Sequence, residues 1–132
     1  MEFNKLIPEL DVADFEKSLD FYTRILGFKI EYSRRENKFA FLSINGAQLM
    51  IEEDNGNWVT ASPEYPRGRG INFEISVPSI EPVLKNLRSE NVSLFREPEE
   101  KWRQAGEIKS VQLEFLVQDP DGYLLRFCQR LK

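Results

Sequence analysis

Histidine is absent from the 132 residues of this chain. That excludes Ser–His and Cys–His nucleophile systems and any imidazole general base. It also leaves a transition-metal site to carboxylates and amides, a hard donor set that is uncommon for zinc. Cysteine occurs once, at Cys128, so neither an internal disulfide nor a thiolate-cluster zinc site is expected. Positive charge is in the minority: 18 Lys and Arg stand against 22 Asp and Glu, a formal net charge of −4. With no basic run, nucleic acid is not an expected partner. No apolar stretch approaches the roughly 20 residues of a membrane span. The opening Met1-Glu2-Phe3-Asn4-Lys5 lacks the charged-then-apolar pattern of a secretory signal. The expectation is a cytoplasmic protein with a single domain over 1–132 and no membrane partner.

What the sequence does hold is a repeated order of elements. Residues 5–12 read as a strand. Asp14 is a good N-cap for a helix whose apolar stripe is Phe15, Leu19, Tyr22 and Leu26, with Gly27 as its stop. Three β-rich runs follow near 28–33, 38–44 and 47–53, the last two joined by the hairpin signal Asn45-Gly46. Residues 54–70 read as a loop. The order then recurs: a strand at 70–77, a helix after Ser79 with stripe Ile80, Val83, Leu84 and Leu87, and strands near 93–96, 110–118 and 122–129. Asp119-Pro120-Asp121-Gly122 is a type I turn signal, and its aspartates are read as turn formers without a catalytic role. The fold class expected is α+β, with two βαβββ halves at 1–62 and 68–132. One helix covers one face of four strands, so each sheet keeps an open face.

Parity along the strands separates the two faces. Ile71, Phe73, Ile75 and Val77 belong under a helix, which turns Asn72, Glu74 and Ser76 outward. The same reasoning puts Glu9, Gln48, Glu52, Gln112, Glu114 and Arg126 on open faces. An open sheet face is ordinarily solvated, but several carboxylates on a concave surface attract cations.

Leu10-Asp-Val-Ala-Asp14, Ser18-Leu-Asp-Phe-Tyr22 and Leu26-Gly-Phe28 resemble the first segment of the vicinal oxygen chelate superfamily. Phe115-Leu-Val-Gln-Asp-Pro-Asp-Gly-Tyr-Leu-Leu-Arg-Phe127 resembles its closing segment. The resemblance implies two βαβββ modules forming an open cup, with a metal in the enzymatic members. The metal-ligand positions carry over to Ile7, Glu52, Asn72 and Arg126. Ile7 cannot ligate, Asn72 is a poor donor and Arg126 repels a cation. The glyoxalase, dioxygenase and fosfomycin reactions need that ion as Lewis acid. What the resemblance then implies is the bleomycin-resistance branch: a homodimer, without metal or other cofactor, that sequesters a cationic, drug-like ligand, such as a bleomycin-type antibiotic, in an acidic cleft between chains.

The ligand-binding residues expected on this reading are Phe39, Phe41, Glu52, Trp58, Asn72, Glu74, Trp102, Glu114 and Arg126, with none catalytic. Trp58 and Trp102, both in loop-like contexts, either stack on a flat ligand or pack on a neighbouring loop or chain. Phe39 and Phe41 either face the ligand or pack in the core. Arg126 either pairs with Glu52 or Glu114, or contacts a ligand anion. Cys128, lacking a basic neighbour in the sequence, reads as a small wall residue and not a nucleophile. The alternative is an enzyme of the same fold, a lyase, isomerase or dioxygenase-like protein. It would use Glu52, Glu74 or Glu114 as a base raised by a neighbouring carboxylate.

Overall fold

A computed structural model describes residues 1–131. The first module opens with strand β1 (Glu9–Val12) and helix α1 (Phe15–Asp20). Two carboxylates start the helix. Asp14 Oδ1 accepts the Lys17 N–H at 3.2 Å and Glu53 Oε2 accepts the Phe15 N–H at 3.0 Å. The helix relaxes into a π-helical turn (Phe21–Ile25). It stops at Gly27, whose φ of +92° suits a residue without a Cβ, while the Phe28 N–H donates to the Tyr22 carbonyl at 2.9 Å. Strands β2 (Lys29–Arg34), β3 (Phe39–Ile44) and β4 (Ala47–Glu53) complete a sheet of order β1-β4-β3-β2, with β1 parallel to β4. Asn45 and Gly46 join β3 to β4 with φ of +48° and +85°, the two left-handed positions of a type I′ turn.

The second module repeats the plan. Strand β5 (Asn72–Ser76), helix α2 (Glu81–Ser89), and strands β6 (Arg96–Ala105), β7 (Ile108–Gln118) and β8 (Leu124–Arg130) form a sheet of order β5-β8-β7-β6. Strand β6 corrects the sequence reading, which placed a strand near 93–96 only. Its run Arg-Glu-Pro-Glu-Glu-Lys-Trp-Arg-Gln-Ala offers almost no apolar alternation. It is a strand because it occupies the sheet edge, where both faces of a chain can meet water.

Both helices and the inner faces of both sheets share one apolar core. It contains Phe15, Leu19, Tyr22, Leu42, Ile51, Leu84, Phe115 and Phe127. The turn after β7 ties the modules together. Asp119 Oδ2 accepts the Tyr22 hydroxyl at 2.7 Å, and Asp121 Oδ1 accepts the Ala13 N–H at 3.1 Å. Arg67 joins the same fastening, donating to Asp54 at 2.7 and 2.8 Å and lying 3.8 Å from Asp121. Asp119 and Asp121 therefore hold the two halves in register, beyond forming their own turn.

Candidate functional site

On the first sheet, the strand register lays the open face out as rows running across the strands. One row is Glu9, Met50, Phe41 and Tyr32; the next is Asp11, Glu52, Phe39 and Arg34. Acids stand at the β1 side and aromatic rings at the β3–β2 side. Tyr32 stacks on Phe41 with centroids 5.2 Å apart, and the Arg34 guanidinium lies 4.0 Å from the Phe39 centroid.

The acidic side is crowded and partly desolvated. Glu9 titrates above the usual carboxylate range, first because it is buried and then because Glu52 and Asp11 repel its charge, with Arg34 opposing. Asp11 is raised too, by burial and then by Asp54 and Glu52, with Arg67 opposing. Asp11 Oδ1 has no hydrogen-bond partner although the atom is buried. Beside these groups lies a cleft of about 460 Å³. The loop between the modules walls it with Trp58, Pro63, Arg67 and Arg69, and Tyr123 also lines it. The Tyr123 hydroxyl and Arg67 both donate to the Asp11 carbonyl, at 2.9 and 3.1 Å, which fixes the loop against β1.

On the second sheet, the open face is polar and internally paired. Arg103 forms a fork onto Glu114 at 3.0 and 3.2 Å. Gln112 donates to Glu74 at 3.1 Å. Arg126 donates to Asn72 at 3.1 Å and lies 3.6 Å from Glu114 and 3.8 Å from Glu74. Burial alone would lift Glu114, but the Arg103 hydrogen bonds and charge, with Cys128 and Arg126, bring it below the usual range. Glu74 is lowered chiefly by the Gln112 hydrogen bond, against burial. The Cys128 thiol lies 3.4 and 3.5 Å from oxygens of these two acids. Burial, and then the Glu74 contact, push it up to about 12.

The residues singled out from the sequence thus fall into separate places. Asn72, Glu74, Glu114 and Arg126 meet in the second-sheet network. Phe39, Phe41 and Glu52 lie together on the first sheet, and Trp58 is on the cleft wall. Arg126 pairs with Glu114 and Glu74; Glu52 belongs to the other sheet and is not its partner. Trp102 is not in a loop. It sits in β6 opposite Val111, on the face turned away from Glu114. Phe39 and Phe41 lie on the open face of the first sheet, outside the shared core, yet are 2% and 1% exposed. The expectation that neighbouring carboxylates raise Glu74 and Glu114 is corrected, because guanidinium and amide donors outweigh the repulsion. Sequence reasoning overlooked Tyr32, Arg34 and Asp11 as site residues. Counting outward from the turn at Arg35–Asn37 places Tyr32 opposite Phe41, but that turn carries no marker as plain as Asn45-Gly46, so the pairing is not legible.

The four positions that correspond to metal ligands do not fit a divalent ion. Ile7 has no donor, Glu52 lies on the other sheet from Asn72 and Arg126, and the Asn72 oxygen is already bound by the Arg126 guanidinium. Among the described residues no group of three or more His, Cys, Asp or Glu converges as a metal site.

Two βαβββ modules, each with one covered and one open sheet face, define the protein's class. The chain belongs to the Glyoxalase/Bleomycin resistance protein/Dioxygenase superfamily, whose family model matches residues 8–127. A bleomycin resistance protein from Geobacillus stearothermophilus is 27% identical over 140 residues, covering 96% of each chain. A probable lactoylglutathione lyase from Vibrio cholerae is 28% identical over 128 residues, 91% of this chain and 86% of that one. The lactoylglutathione lyase of Arabidopsis thaliana is 29% identical over 125 residues, but this chain spans only 41% of its length. Among solved structures, TioX from Micromonospora sp. ML1 superposes with a TM-score of 0.71 at 18% identity, covering 98% of this chain and all of that one, a likeness of fold. No helix of the described residues is long and apolar enough to cross a membrane.

Proposed function

We propose that this chain is a metal-independent small-molecule binding protein of the bleomycin-resistance type, which sequesters a cationic, drug-like ligand on the acidic open face of its first module. The observation that carries the reading is the pair Glu9 and Asp11 beside the 460 Å³ cleft. Both are raised by burial and by mutual crowding of carboxylates. A ligand ammonium or amidinium placed there relieves the repulsion between the crowded carboxylates. Trp58 and Tyr123 offer flat surfaces at the same cleft. In this reading the protein works as a homodimer whose second chain faces the open side of the cleft, and its buried free thiol suits the reducing cytoplasm.

The second-sheet network supports binding over catalysis. Glu74 and Glu114 are held below the usual carboxylate range and are already bound by donors, which suits counter-ions and not general bases. The match to bleomycin resistance proteins along nearly the whole of both chains points the same way.

The test is titration with metal-free bleomycin, read by Trp58 fluorescence in a Trp102→Phe background and by thermal shift. Saturation near one ligand per chain is expected, weakened at least tenfold in a Glu9→Gln/Asp11→Asn double variant (roughly 1.4 kcal/mol or more). No quenching and no thermal shift up to about 1 mM overturns the reading. Light scattering at micromolar concentration checks the dimer, and a monomer mass removes that part.

A further inference from the structure

Phe39 and Phe41 point toward the ligand face, yet almost none of their surface is open. The chain itself covers them. Phe3 meets Phe41 edge-on, with ring centroids 5.4 Å apart. Three surface hydrogen bonds hold the segment that carries it. The Asn4 N–H donates to Gln48 Oε1 at 2.7 Å, Asn4 Nδ2 donates to the Gly46 carbonyl at 3.0 Å, and Gln48 Nε2 donates to the Glu2 carbonyl at 2.7 Å. At the neighbouring ring, the Arg34 guanidinium lies over Phe39 and within 5.8 Å of the Tyr32 centroid. The aromatic floor is therefore occupied by a ring and by a planar cation, side by side, both supplied in cis.

The cover is lightly held. Phe3 remains 55% exposed where it sits. Exposed hydrogen bonds of this kind exchange readily for bonds to water, so their net contribution is small. An edge-to-face ring contact contributes on the order of 1 kcal/mol. A second ring and a second planar cation could replace both occupants without any change in the sheet.

We infer that Glu2–Asn4, with Phe3, and the Arg34 side chain form a displaceable cover that stands in for the ligand. The ligand is accordingly a flat arene carrying planar cationic groups of the amidine or guanidine class. This rests on the first-module face being the binding face. The register supports such a shape. Phe39 and Phe41 are two strands from Asp11 and Glu9, roughly 10 Å at the usual strand spacing. An arene on the floor can thus extend a second cationic end to the acids.

The experiment compares the full chain with Phe3→Ala and with a variant lacking residues 1–4, after circular dichroism shows that both fold. The first readout needs no ligand: Nile red, a neutral dye, is expected to bind and brighten more in both variants as Phe41 is uncovered beside the exposed Tyr32. The second is titration with the planar diamidine DAPI, expected to bind both variants about three- to tenfold more tightly than the parent chain. Unchanged Nile red emission in both variants refutes the cover. Brighter Nile red with unchanged or weaker DAPI binding refutes the ligand class. If the parent chain and both variants bind neither DAPI nor bleomycin, the face is not a ligand site, and the Nile red result still decides whether the cover exists.

Discussion

Replacing Asp119 by asparagine should alter the way stability depends on pH. Asp119 is 3% exposed and accepts three hydrogen bonds, from the Tyr22 hydroxyl and from the Asp121 and Tyr123 N–H groups. These bonds favour its charged form, but burial outweighs them and Asp121 adds repulsion, so the carboxyl titrates at about 6. A group raised on folding binds its proton more tightly in the folded state. Its favourable contribution is complete below the unfolded value of 3.8 and is lost as pH rises through about 6. Between pH 4.5 and 7.5, linkage between those two values gives a loss of about 2 kcal/mol. Asparagine offers the same oxygen to the two backbone N–H groups and has no charge to lose. The stability of Asp119→Asn relative to the parent chain should thus rise by about 2 kcal/mol across that window. Urea unfolding followed by tryptophan fluorescence at closely spaced pH values measures the difference. Taking the difference removes the opposing carboxylates Glu31, Glu53, Glu74 and Glu114, which are lowered in the folded state and whose contribution grows with pH. A difference that stays flat, or that falls with pH, would refute the burial argument.

Gly122→Ala should loosen the fastening of the cleft loop. Gly122 has φ +94°, and an added Cβ would lie 2.6 Å from the Pro66 Cα. A destabilisation of about 2–4 kcal/mol is expected in urea unfolding, and a wild-type midpoint would show that the loop yields freely. Glu114→Ala should be destabilising by about 1–2 kcal/mol, because the network loses the acceptor shared by Arg103 and Arg126, while Arg103 still reaches solvent and Arg126 keeps Glu74. Arg103→Ala, read in the same assay, should have a smaller effect, since Arg126 still faces the acid. Cys128, buried and titrating at about 12, should resist iodoacetamide at pH 8 in the folded protein and react once per chain in urea. Rapid labelling of the native chain would contradict the two-carboxylate environment.

The elements that the sequence announced are those whose ends are made by single residues with local chemistry. Asp14 starts a helix, Gly27 stops it, and Asn45-Gly46 and the Asp119–Gly122 turn reverse the chain. Each works through its own side chain or φ angle, so each is readable without knowledge of the fold. Strand β6 has no such marker, and its missing from the reading had a second consequence. Arg103 lies on β6, and without that strand Glu114 looks like an acid among acids. The inferred direction of its titration was therefore reversed. Parity correctly separates faces within one strand, but it cannot tell which partner arrives from across the sheet. Phe3 and Arg67 illustrate the same limit. Phe3 reaches Phe41 from 38 positions away and Arg67 reaches Asp11 from 56 positions away, distances over which no sequence period operates.

The two modules share a topology but divide the work through their open faces. Where the second carries Arg103, Gln112 and Arg126 among its acids, the first carries Phe39, Phe41 and Tyr32 beside acids that remain crowded. A network whose acids already have cationic and amide donors gains less from an incoming cation. Crowded carboxylates gain directly from an incoming cation, and covered aromatic rings gain area equal to what their cover gives up. On the proposed reading, a ligand therefore gains more from the first face than from the second. Arg126 shows the division at one residue. At the position that would hold a metal ligand, it binds Asn72 and bridges toward Glu74 and Glu114, so it ties β5, β7 and β8 of the second sheet together.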